Sequence, residues 1–136
     1  MLALSCAPAG QLSPVQLQKT MFLLSIYYPR DVGKAFYTFR PYNFGPFDEA
    51  IYGDMRMLGF ERFVRRVAVP GRSWSAYQIT DAGTKRAKGL SIIPSRAAME
   101  YLKAVTKWAT AVPFAHLLRT IYTKFPEFRK NSVFQE

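Results

Sequence analysis

The sequence predicts an α+β domain in which helices flank a two-stranded β-hairpin. Three observations point there. Residues 63–69 and 74–80 are rich in β-branched and aromatic side chains, and Pro70-Gly71-Arg72-Ser73 between them is a turn by composition. Apolar residues recur at helical spacing before and after that pair. An aromatic segment with a Gly-Pro corner, Phe39-Arg40-Pro41-Tyr42-Asn43-Phe44-Gly45-Pro46-Phe47, separates the first two helical patterns.

Taken in order, residues 1–12 read as an irregular arm. Ser13-Pro14 starts a helix, with Ser13 as N-cap and Pro14 at the first helical position. Val15, Leu17, Met21, Phe22 and Leu24 line its apolar stripe to about Tyr27, and the stretch from Tyr28 to Lys34 breaks it. Phe36-Tyr37-Thr38-Phe39 reads as a short strand. Asp48 is the expected N-cap of a second helix with Ile51, Met55 and Leu58 on its buried side, and Gly59 is the expected stop. The four aromatics of the corner are expected to be held in the core. After the hairpin, Thr80 caps a third helix ending near Gly89. Ser95 caps a fourth, with Met99, Leu102, Val105 and Ala109 as its apolar face. Pro113 begins a fifth, with Phe114, Leu117, Leu118 and Ile121 inside, which Pro126 ends. The expected organisation is an arm (1–12), a core (13–90) and a C-terminal helical extension (91–136) packed on that core.

The chain has 136 residues, 49% of them hydrophobic and 15% aromatic, so a folded domain rather than a disordered one is expected. No apolar run approaches the roughly 20 residues that cross a bilayer. One cysteine allows no internal disulfide, which fits a cytoplasmic protein. The net charge is +10, and its distribution is uneven. Residues 1–55 carry four basic and four acidic side chains, residues 56–107 eleven and three, and residues 108–136 four and two. A cationic excess concentrated on and after a hairpin is the footprint of a protein that meets a polyanion.

Helix, short strand, helix, basic hairpin, helix is the order of a winged-helix domain, here with two additional C-terminal helices. The motifs also carry a family resemblance. Leu17-Gln18-Lys19 followed by Met21-Phe22-Leu23-Leu24 resembles the first helix of a group of small prokaryotic and phage proteins. That group comprises the YwgA-like proteins and, more distantly, the Panacea (SocA-like) antitoxin domain. Tyr37, Phe39 and Tyr42-Asn43-Phe44-Gly45-Pro46-Phe47 resemble the group's aromatic Gly-Pro-Phe corner. Tyr77-Gln78-Ile79-Thr80-Asp81-Ala82-Gly83 is similar to the segment that closes the wing in many winged-helix regulators. The stretch from Leu117 through Tyr122 and Pro126-Glu127 to Ser132 resembles the group's C-terminal motif. The resemblance implies a winged-helix-like fold, no enzyme activity, and a place in a toxin–antitoxin or phage-conflict module. Phe44 and Phe47 depart from the antitoxin pattern and place the chain nearer the YwgA-like side. A complete helix-turn-helix needs a further helix between Phe39 and Pro46 or within 29–35, and neither stretch reads as one.

Catalytic chemistry finds little to work with. His116, the only histidine, falls on the fifth helix as a structural or surface residue, and Cys6 has no histidine near it in sequence. No spacing of His, Cys or carboxylates resembles a metal site, no glycine loop suits a phosphate-bearing cofactor, and Asp48, Glu49 and Asp54 sit where a helix dipole favours carboxylates anyway. No catalytic residue, cofactor or metal is expected. The candidate nucleic-acid-binding residues are Arg56, Arg62, Arg65, Arg66, Arg72, Lys85, Arg86 and Lys88, because guanidinium groups fork onto phosphate oxygens. Asp48, Glu49 and Asp54 oppose phosphate on the second helix, so the wing and third helix are expected to carry more of the contact. Tyr37, Tyr42, Phe44 and Tyr52 fit core packing better than a stacking platform. The expected function is that of a non-enzymatic regulator binding nucleic acid, double-stranded DNA first. The alternative is an antitoxin-like or defence-complex module that binds a partner protein such as a toxin. Homodimerisation through the last two helices is compatible with both.

Overall fold

A computed structural model of the chain describes residues 1–33, 36–90 and 94–134. Residues 1–12 are not an irregular arm. They form helix α1 (Leu2–Cys6), a 3-10 turn (Pro8–Gly10) and the two-residue strand β1 (Gln11–Leu12). Leu4 and Leu12 are fully buried. Five helical residues are too few to show a period, and it is burial that holds them.

Ser13 begins α2 (Pro14–Tyr27) with a reciprocal capping box. Its Oγ accepts from the Gln16 N–H at 3.1 Å, and Gln16 Oε1 accepts from the Ser13 N–H at 2.8 Å. This helix is covered on more than one side, since Gln18, Lys19 and Thr20 are buried along with Leu17, Phe22, Leu23 and Leu24. A single turn, α3 (Pro29–Val32), follows.

The expected strand at Phe36–Phe39 is absent. The Thr38 N–H is taken by Asp48 Oδ2 at 2.8 Å, and the aromatic rings pack edge to face, Phe39 against Phe22 with centroids 5.4 Å apart. The strand comes later, as β2 (Arg40–Tyr42), paired antiparallel with β3 (Gly45–Phe47). Gly45 closes that ribbon with φ +88°, a conformation that glycine adopts without steric cost. The corner is only partly interior, because Tyr42 and Phe44 are both 39% exposed. With α3 one turn long and 40–47 a ribbon, no full helix stands between α2 and the next; Lys34 and Ala35 lie outside the described residues.

Helix α4 (Ala50–Phe60) starts one residue later than expected, with Glu49 as N-cap. Asp48 still serves the first turn, its Oδ1 accepting from the Ala50 N–H at 2.9 Å. The helix also runs past Gly59. It ends in a Schellman arrangement, with the Phe63 N–H donating to Leu58 O at 2.9 Å and the Arg62 N–H to Gly59 O at 3.1 Å. The left-handed residue of that cap is Arg62, φ +64°, where glycine is usual.

Strands β4 (Val64–Ala68) and β5 (Ser75–Ile79) form the expected antiparallel hairpin, Val64 opposite Ile79 and Ala68 opposite Ser75. β1 pairs with the outer edge of β5, giving the order β1-β5-β4. Helix α5 (Asp81–Lys88) is capped by Thr80 Oγ1, which accepts from the Gly83 N–H at 3.0 Å. A Cβ at Gly83 would lie 2.1 Å from Phe63 O, so only glycine lets this turn rest on the start of β4. Ser95 caps α6 (Arg96–Ala111), and α7 (Phe114–Lys124) leads to a closing 3-10 turn (Pro126–Arg129).

One core joins these pieces. Leu4, Leu12, Leu17, Ile51, Met55, Val64, Tyr77, Ala98 and Leu102 make up a single cluster, so α1, α2, α4, the hairpin and α6 share an interior. Phe22, Leu23, Val105 and Ile121 form a second cluster beneath α7, with Phe125 and Phe128 against it. The result is an α+β fold with two small antiparallel sheets.

Candidate nucleic-acid interface

The end of α4, the left-handed turn at Arg62 and the start of β4 bring four of the eight predicted cationic residues together. Alternation along a strand sends consecutive side chains to opposite faces, and it separates Arg65 from Arg66. Arg65 Nε donates to Gln78 Oε1 at 2.8 Å across the ladder. With Arg62, Gln78, Thr80, Asp81 and Thr84 it lines a polar recess of about 620 Å³ beside the first turn of α5. The Arg66 guanidinium lies 5.7 Å from the centre of the Tyr77 ring on the other face. Arg56 reaches the same place from α4, and together with Phe60 these residues line a groove of about 470 Å³. Burial pushes the Tyr77 phenol up, and the charges of Arg66 and Arg56 pull it part of the way back. None of the four arginines is ion-paired to a described carboxylate.

Of the remaining four, Lys85, Arg86 and Lys88 are exposed on α5, whose Gly83 and Ala87 face inward. Arg72 is exposed in the hairpin turn, away from the others. The hairpin thus concentrates cations at its base, and its tip carries one.

The local backbone fixes the base. Thr80 Oγ1 donates to Arg62 O at 2.8 Å while accepting from Gly83, so a single hydroxyl ties the end of α4 to the start of α5. The sequence singled out Thr80 only as a cap. It also gave no weight to Met57 and Phe60, which are 61% and 85% exposed beside the arginines. A signal for them existed, since both fall off the stripe set by Ile51, Met55 and Leu58.

A second polar assembly lies at the Gly-Pro corner, where side chains from α2, α7 and the C-terminal segment meet it. Lys19 is 2% exposed, and its Nζ donates to Pro46 O at 3.0 Å. Burial pulls its pKa down to about 7. Gln18 brackets the backbone of Asp48, donating to its carbonyl at 2.9 Å and accepting from its N–H at 3.0 Å. The Tyr122 hydroxyl donates to Ser132 Oγ at 2.5 Å, and Ser132 Oγ donates in turn to Asn43 O at 3.3 Å. A Cβ at Gly45 would touch Tyr122 at 3.4 Å and Lys19 Cε at 3.6 Å, so the corner rests directly on both.

Elsewhere the expected bystanders stay apart. His116 is exposed, its ring 6.2 Å from Trp108, and Cys6 lies half-buried on α1 with its thiol pushed up by burial. Among the described residues no group of His, Cys and carboxylates stands close enough to hold a metal ion. No helix among them is long and apolar enough to cross a membrane. An apolar groove of about 390 Å³ runs between α2, α6 and α7, with Tyr27, Tyr101 and Trp108 in its wall and Lys124 at its edge. Comparison with known proteins finds no match: no family model, curated sequence or solved structure is significantly similar to this chain.

Proposed function

We propose that the chain is a non-enzymatic, cytoplasmic, winged-helix regulator that binds duplex DNA with the base of its β4–β5 hairpin. The observation that carries this reading is the gathering of Arg56, Arg62, Arg65 and Arg66 where α4 passes into β4, without a described carboxylate paired to any of them. Cations without a carboxylate partner in the fold gather counterions, which phosphates displace with a gain in entropy. The order α1, β1, α2, α4, β4, β5, with sheet order β1-β5-β4, supports the winged-helix reading. In it the short strand precedes α2, and α3 with the β2–β3 ribbon is an insertion. Lys85, Arg86 and Lys88 extend the cationic surface along α5, and Arg72 offers the wing tip a phosphate contact.

The test is fluorescence anisotropy of a labelled duplex at two salt concentrations. If about five phosphates are neutralised, affinity falls by roughly 10²–10³-fold between about 50 and 200 mM salt. Changing Arg65 and Arg66 together to Glu lowers affinity by about 100-fold or more at low salt, with the denaturant midpoint unchanged. Absence of binding at about 50 mM salt ends this reading. The α2/α6/α7 groove is the surface that the antitoxin-like reading would use for an apolar, acidic segment of a partner protein. Co-purification with the product of a neighbouring gene, lost on Trp108→Ala, tests that reading.

A further inference from the structure

Phe60 is the most exposed large apolar side chain among the described residues, and Met57 lies one turn before it on the same helix. Phe60 is 85% exposed and Met57 61%, yet both belong to a regular helix and neither contributes to a core cluster. Leaving a phenylalanine in water forgoes the stabilisation that its burial would bring. The pair is nonetheless held in place. The last turn of α4 is closed by the Schellman bonds to Leu58 O and Gly59 O, and the next residue but one is anchored through Arg62 O to Thr80. The apolar tip is therefore a rigid projection from the fold.

Its surroundings specify what it meets. Arg56, Arg65 and Arg66 line the groove that holds Phe60, and Arg65 also borders the neighbouring recess, which Arg62 lines. Two carboxylates lie on the same stretch of helix. Asp54 is engaged by the Tyr37 hydroxyl, and Glu61 is exposed. Four guanidinium groups against these two and Asp81, which lines the recess with Arg62 and Arg65, still leave the tip net cationic, so a second copy of this +10 chain is disfavoured as its occupant. An apolar side chain projecting beside a cluster of cations matches a duplex whose minor groove opens at one base step. The side chain enters the stack there, and the cations beside it meet the neighbouring phosphates.

We propose that Phe60, backed by Met57, is a wedge that enters a base step of bound DNA from the minor groove and bends the duplex. The proposal rests on the duplex-binding reading above and adds a mode of recognition to it. Pyrimidine–purine steps unstack most easily, so the wedge prefers sites that contain them.

The experiment uses the full chain and a 20-base-pair duplex with a central TA step. The duplex carries dyes at its ends for energy transfer and, in a second version, 2-aminopurine at the step. With wild-type protein, end-to-end transfer rises on binding and 2-aminopurine fluorescence increases about twofold or more as the base unstacks. Phe60→Ala combined with Met57→Ala removes both signals while binding stays within about tenfold, because the phosphate contacts remain. Both positions are exposed, and circular dichroism verifies that the variant folds. If wild-type protein binds the duplex with neither signal, or the double variant bends it equally, the wedge is overturned. If no duplex is bound at all, the underlying reading falls first, and the anisotropy experiment shows that separately.

Discussion

The Gly-Pro corner and the base of the hairpin use similar side chains in opposite ways. At the corner, a lysine and a glutamine are buried, and each is hydrogen-bonded to a specific backbone group of Pro46 or Asp48. At the hairpin base, four arginines are exposed and ion-paired with no described residue. A polar group taken out of water must find a partner inside the fold or destabilise it. A charge left in water makes no such demand and keeps its capacity for a ligand. The corner therefore specifies the fold and the hairpin base stays available for binding. Variants at the two places should separate stability from affinity.

The largest effect expected is at Lys19. In the unfolded chain a lysine titrates near 10.5, and in the folded chain burial brings Lys19 to about 7. Between those values the unfolded state holds a proton that the folded state lacks, so stability rises with pH across that window. Below about 7 both states are protonated and the penalty for a buried charge is fully present. Between pH 7 and 9.5 the gain should be about 3 kcal/mol, read from denaturant midpoints. Lys19→Met should flatten this slope. Tyr37 and Tyr101, whose phenols burial raises, act in the opposite sense above pH 10, which closes the window. Identical slopes in the wild type and Lys19→Met would mean that this amine is not buried as described.

Gln18 gives the next effect. Replacement by leucine keeps much of the volume and strips both the N–H and the C=O of Asp48 of their partner. Two orphaned backbone groups at the entry to α4 should lower stability by about 2 kcal/mol. Duplex affinity should change less than about twofold, because no phosphate contact is touched. A large loss of affinity would show that the corner and the hairpin base are coupled through α4.

The elements that could be read from the sequence were those with a local cause. The capping residues Ser13, Thr80 and Ser95 mark their helices, and Pro70-Gly71 marks the hairpin. The cluster of arginines at the hairpin base was legible for the same reason, since Arg62, Arg65 and Arg66 are near one another in the chain. What escaped has non-local causes. Residues 1–12 are ordered by burial of Leu4 and Leu12 beneath later elements. Phe36–Phe39 fails to form a strand because a carboxylate ten residues on captures the Thr38 N–H. Gln18 and Lys19 look like the wet side of an amphipathic helix until the corner folds over them. The division of Arg65 and Arg66 between two faces follows from strand alternation and was foreseeable.

Arg62 carries both sides of the comparison within one residue. Its φ of +64° completes the Schellman cap of α4, a place where a side chain is normally disfavoured by roughly 1–2 kcal/mol. Glycine would adopt that conformation freely, and its greater freedom in the unfolded chain gives back part of the gain. Arg62→Gly should therefore raise stability by about 0.5–1 kcal/mol. The same change removes one cation from the recess beside α5 and should weaken duplex binding by about three- to tenfold. Arg62→Ala separates the two causes, since it loses the charge and keeps the strained Cβ. Its affinity should fall as far as that of the glycine variant, with no gain in midpoint. A glycine variant that is more stable and binds equally well would make the arginine irrelevant to the ligand and shift the interface toward Arg56 and Arg66. A variant that binds less well with no gain in stability would mean that the turn at Arg62 is not strained as its backbone angle implies.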